Sequence, residues 1–171
     1  LKNMKKILFI TIITLTSLNT FSQKFAYVDS DYILKKIPEF IQAEEKINKL
    51  SSNWQSEIEN AYIEIEKLYR NYQNEQVLLT NEMKTKREEE IIEKEKEVQS
   101  LQKKYFGIEG ELYKKRQELI KPIQDRIFDA IQQLAINNKY SIIFDSSSDL
   151  IMLYTNPDLD KSDKVIELMG Y

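Results

Sequence analysis

The sequence has no cysteine and no histidine, and only three glycines, three prolines and one tryptophan in 171 residues. Without cysteine there are no disulfides, no thiolate nucleophiles and no cysteine zinc sites. Without histidine the commonest general base and metal ligand is gone. Carboxylates are plentiful, as in Glu44-Glu45 and Glu88-Glu89-Glu90, but no apolar pocket raises a pKa and no base partners them. The chain therefore reads as a non-enzyme. No catalytic, cofactor-binding or metal-binding residue is expected, and no cofactor.

The scarcity of glycine and proline has a structural meaning. From Glu39 to Asn138 there is one proline (Pro122) and two glycines (Gly107, Gly110), with apolar residues three or four apart. A charged fraction of 31% and a mean hydropathy of −0.52 suit long helices better than an ordinary globule. Thin helices bury little core per residue, so self-association is expected.

The first residues carry a secretory pattern. Met4-Lys5-Lys6 is basic, Ile7 to Leu18 is apolar apart from Thr and Ser, and Thr20-Phe21-Ser22 ends on a small residue. This predicts a signal peptide over residues 1–22, cut after Ser22. The apolar run is short for a membrane span, and no cysteine follows it to take a lipid anchor. Cleavage would take three lysines and no acid from 25 basic and 28 acidic residues, moving the net charge from −3 to −6. So acidic a mature chain is not a general nucleic-acid binder. The same acidity weakens the case for contact with anionic membrane.

After the leader, Phe25-Ala26-Tyr27-Val28 predicts a short strand. Asp29 or Ser30 caps a short helix through Lys36, and Pro38 stops it or opens the next. Ala43, Ile47, Leu50, Trp54, Ile58, Ala61, Ile65, Leu68 and Tyr72 then form a coiled-coil seam, interrupted at Trp54–Ile58. The rhythm breaks at Val77 to Asn81, where Thr80 and Asn81 are good N-caps. A hairpin tip near 78–82 is expected, against the alternative of one unbroken helix. With a tip near 79, residue i faces roughly 158 − i. The return arm regains a seam at Val98, Leu101, Tyr105, Ile108 and Leu112, continuing at Leu119, Ile123, Ile127, Ala130 and Leu134. Because the period survives them, Gly107, Gly110 and Pro122 are expected to kink the helix without ending it. Ser141 to Asp145 and Leu150 to Tyr154 predict two strands of a hairpin, and Ser162 caps a last helix, Asp163 to Met169. These strands want apolar cover on both faces, which several copies could give by closing together.

The order of these pieces has a counterpart. A leader, Phe25-Ala26-Tyr27-Val28-Asp29, a long charged hairpin, Lys121-Pro122-Ile123-Gln124-Asp125, Tyr140-Ser141-Ile142-Ile143-Phe144-Asp145 and a final Ser162-Asp163-Lys164-Val165-Ile166 resemble the OmpH/Skp family of periplasmic chaperones over essentially the whole mature chain. Tyr105 to Leu119 looks like the form of that segment in one large branch of the family. The resemblance implies an α+β, mostly α fold in which a long antiparallel helical hairpin projects from a small β body that trimerises. The arm is 39–118, and the body is 23–38 with 119–171. It implies an ATP-independent periplasmic holdase that keeps unfolded outer-membrane proteins in a cavity between the arms. The body would associate through Phe25, Tyr27, Val28, Ile142, Ile143, Phe144, Ile151 and Leu153. Tyr62, Tyr69 and Tyr113 are expected to touch clients, whereas Tyr72 and Tyr105 fall on the seams. Gly107, Gly110 and Pro122 would act as an arm hinge, although the glycines also suit close packing of the opposite arm. A different class of function, a coiled-coil spacer or adaptor of the envelope, fits the same helices.

Overall fold

The computed structural model describes residues 23–148 and 151–171. The expected leader therefore lies outside the described residues. The chain runs through strand β1 (Lys24–Val28) and helices α1 (Ser30–Lys36), α2 (Pro38–Glu75), α3 (Asn81–Phe106), α4 (Glu111–Leu119) and α5 (Lys121–Asn138). Strand β2 (Tyr140–Asp145), a 3-10 turn (Pro157–Leu159) and α6 (Ser162–Leu168) complete it.

Local chemistry sets these boundaries. Asp29 caps α1 by accepting from the Tyr32 N–H, and Pro38 opens α2 in its first turn, where its missing N–H costs nothing. The 38 residues of α2 span about 57 Å at 1.5 Å each. The helix stops at Glu75, a turn covers 76–79, and Thr80 restarts the chain by accepting from the Met83 N–H. The hairpin is thus real, and α2 and α3 lie against each other along the arm.

The return arm is not continuous. It ends at Phe106, resumes at Gly110 as the N-cap of α4, and breaks again at Ile120 before α5, which has Pro122 in its first turn. The expectation that the glycines and the proline merely kink one helix is corrected. Ile108, expected on the seam, is 95% exposed. Cross-arm partners also drift ahead of the simple rule, already along α3 before the first break. Tyr72 meets Glu88, Glu57 meets Tyr105 and Glu39 meets Arg126, progressively further along than 158 − i allows.

The sheet also differs from expectation. β1 and β2 pair in parallel, with Phe25 beside Ile142 and Tyr27 beside Phe144. Residues 151–154 form no strand, so the hairpin of Ser141–Asp145 with Leu150–Tyr154 is not made. Residues 151–154 have no strand partner among the described residues. The far edge of β1 is taken instead by Asp160 and Lys161, the Lys161 N–H donating to the Tyr27 carbonyl. A parallel pair needs a long crossover, and the helical arm is that crossover. The last helix begins at Ser162, not Asp163, because Asp160 accepts from both the Ser162 N–H and its hydroxyl.

Two apolar clusters hold the molecule. The larger sits at the base and gathers Val28, Ile33, Ile37, Ile47, Ile123, Ile127, Leu134 and Val165 from β1, α1, α2, α5 and α6. The smaller lies in the arm around Ile65, Ile91 and Val98. Among the described residues, no helix is long and apolar enough to cross a membrane.

Candidate functional site: an apolar sheet face and an aromatic arm

Alternation along the two strands sorts their side chains onto two faces. Ala26, Val28 and Ile143 turn towards the base core. Phe25, Tyr27, Ile142 and Phe144 occupy the opposite face, where the Phe25 and Phe144 rings stack with centroids 6.4 Å apart. Phe25, Ile142 and Phe144 are exposed, as are Ile151, Leu153 and Tyr154 in the segment that follows. The residues expected to associate thus divide. Val28 and Ile143 serve the chain's own core, Tyr27 is half-buried, and Phe25, Ile142, Phe144, Ile151 and Leu153 are exposed apolar side chains; among the described residues β2 pairs with β1 alone.

The strands are pinned to the base by a polar network. Asp145 accepts from the Ser30 N–H at 3.1 Å, the Ser30 hydroxyl at 2.7 Å and the Ser147 hydroxyl at 2.8 Å. Burial works against its charge, but the hydrogen bonds from Ser30 and Ser147 outweigh burial and hold the carboxyl below its ordinary range. Glu39, Arg126 and Tyr171 form a second clasp. The Tyr171 hydroxyl donates to Glu39 at 2.6 Å and receives from Arg126 at 2.8 Å. That hydroxyl is the leading cause of a lowered Glu39 pKa.

In the arm, Trp54 stacks on Tyr105 with ring centroids 4.9 Å apart and meets Phe106 edge-on at 6.4 Å. The Tyr105 hydroxyl donates to Glu57 at 3.0 Å, which raises its pKa. Tyr72 donates to Glu88 across the arms. Tyr72 and Tyr105 therefore pack between the arms, as their seam positions predict. Tyr62, Tyr69 and Tyr113 are each roughly half exposed. Tyr62 and Tyr69, seven residues apart, share one face of α2, while Tyr113 lies beyond the glycine break on α4. Tyr62 borders a groove of about 430 Å³ between α2 and α3, together with Gln55, Ile58, Glu59, Gln102 and Phe106. Phe106 lies one position off the predicted seam. Its only sequence signal is that it follows Tyr105 directly and precedes Gly107.

The glycines have a specific reason to be there. A Cβ on Gly107 would stand 2.4 Å from the Lys103 carbonyl oxygen, and one on Gly110 would stand 2.8 Å from that of Tyr105. The close approach is to the preceding turn, not to the opposite arm. Among the described residues, no group of acidic side chains is arranged to hold a metal ion.

A family model described as outer membrane protein (OmpH-like) matches residues 24–169. A solved structure from Caulobacter crescentus CB15, described as a candidate outer membrane chaperone (OmpH-like), superposes with a TM-score of 0.66. The two are 12% identical, and the match covers 88% of this chain and 86% of that one. Among curated proteins, none matches the chain.

Proposed function

The chain belongs to the OmpH-like family, and from that premise we propose that it is a chaperone, specifically an ATP-independent periplasmic holdase for unfolded outer-membrane proteins. Residues 1–22 act as its export signal. Three copies join by burying the sheet face of Phe25, Tyr27, Ile142 and Phe144 together with Ile151 and Leu153. Three arms then surround a client, and Tyr62, Tyr69 and Tyr113 contact its apolar segments. Tyrosine suits this role because it offers contact area at little entropic cost and tolerates water. The breaks at Gly107–Gly110 and at Ile120–Pro122 divide the return arm and let it spread around clients of different size.

The observation that carries this reading is the uncovered apolar sheet face at the root of an arm about 57 Å long. A monomer rarely leaves such a patch in water. The description of the Caulobacter structure as a candidate chaperone supports the same conclusion. The test is dilution of a urea-unfolded β-barrel protein into the mature chain, followed by turbidity. Suppression at one trimer per client is expected. No suppression would leave the arms as a spacer or adaptor and end the holdase reading.

A further inference from the structure

The glycine break does more than interrupt a helix. By ending α3 at Phe106, it leaves that ring half-buried in the lining of the groove, edge-on to Trp54. The floor is apolar, from Ile58, Tyr62 and Phe106, and the rim carries Gln55, Gln102 and the carboxylate of Glu59. Glu59 has no ion pair among the described residues. The helix beneath it is acidic as well, with eight glutamates against four basic residues in α2. The groove's volume is at the low end for a ligand pocket. It is lined by side chains from only two helices.

We propose that this groove is a discrete anchor for non-native polypeptide, taking an aromatic or large aliphatic side chain whose neighbouring lysine or arginine pairs with Glu59. The inference rests on the chaperone reading and adds to it a place and a preference. Apolar-plus-basic segments are held here, and apolar-plus-acidic segments are repelled. Charge decides the occupant. A second copy of this acidic arm would bring like charge to Glu59, and an anionic lipid surface would do the same.

Trp54 is the chain's one tryptophan and reports on the groove through its edge contact with Phe106. The probes are two unstructured dodecapeptides, each with one central phenylalanine, flanked in one by lysines and in the other by glutamates. The lysine peptide is expected to change Trp54 emission saturably and to bind about threefold tighter, the scale of one exposed ion pair. Glu59→Lys should abolish that preference, and Glu93→Lys, further along the arm, should keep it. Benzoylphenylalanine placed at Gln102 should cross-link the lysine peptide. Equal binding of both peptides, an unchanged Trp54 signal, an equal effect of Glu93→Lys, or cross-linking to a second copy of this chain would each overturn the anchor. The turbidity assay separates the two ideas. Suppression by a wild type that shows none of these peptide signals sinks the groove alone. Failure to suppress sinks the chaperone reading.

Discussion

Trp54 and Tyr105 face each other across the arm with their rings only 8° from parallel, and the hydroxyl of the tyrosine reaches on to Glu57. This contact sits where the heptad seam of α2 loses its regular step. Large rings fill the widened space that smaller seam residues would leave. Replacing Trp54 by Ala is expected to destabilise the chain by about 2 kcal/mol, less than a fully buried tryptophan would cost. Urea unfolding followed by far-UV circular dichroism measures it. A loss below about 0.5 kcal/mol would mean the arms hold together without the stack.

Gly107 and Gly110 are more than flexible links. A side chain at either position would drive its Cβ into a backbone carbonyl of the preceding turn. Gly107→Ala and Gly110→Ala should therefore each cost about 1–3 kcal/mol. If the glycines served flexibility alone, alanine would leave stability equal or improved. Thermal melts of the two variants decide between these outcomes, and small-angle scattering shows whether arm spread changes with them.

The Asp145 network should make the base acid-sensitive. Its folded pKa lies below the ordinary value of 3.8. A depressed carboxylate contributes stability in full above the unfolded value, and that contribution drains away as pH falls through the folded one. Asp145→Ala should cost about 1–2 kcal/mol at pH 7, since it leaves the start of α1 and the Ser147 turn without their acceptor. The gap between wild type and variant should narrow below about pH 4. A gap that stays constant down to pH 2 would assign the loss to packing.

Ile142 and Phe144 are exposed on the sheet face. If the proposed trimer closes through this face, light scattering at micromolar concentration should give a trimer mass for residues 23–171 and a monomer mass for Ile142→Asp, with helical content kept. A trimer that survives both Ile142→Asp and Phe144→Asp would place the interface elsewhere.

Much of this architecture is legible from periodicity. Every seam position named on α2 is buried or half-buried, and the tip falls beside Thr80, whose side chain can cap a helix. The failures share a cause. A helical period in the sequence says which residues would align if the backbone continued, and Ile108 keeps the period while the backbone does not. Ile91 is the converse. It lies in a stretch so charged that no seam stands out, yet it is buried against Ile65 and Val98. The pairing of β1 with β2 was hidden because strand partners 117 positions apart, such as Val28 and Asp145, leave no local trace, whereas Ser-Ser-Ser-Asp between two apolar runs imitates a hairpin turn. The groove was hidden for a related reason. Its walls come from positions 55–62 and 102–106, which meet only once the hairpin has closed.

That parallel pair also bears on how the chain becomes folded. Closing a flexible loop of some hundred residues to bring Val28 to Asp145 would cost about 4 kcal/mol in chain entropy. The hairpin replaces that single long closure with a short one at residues 76–79, after which α2 and α3 can zip towards the base. β1 comes first in the chain and must wait for β2, which comes more than a hundred residues later. The arm is thus also the folding route, and damage to its tip or seam should slow closure of the sheet before it affects the finished base.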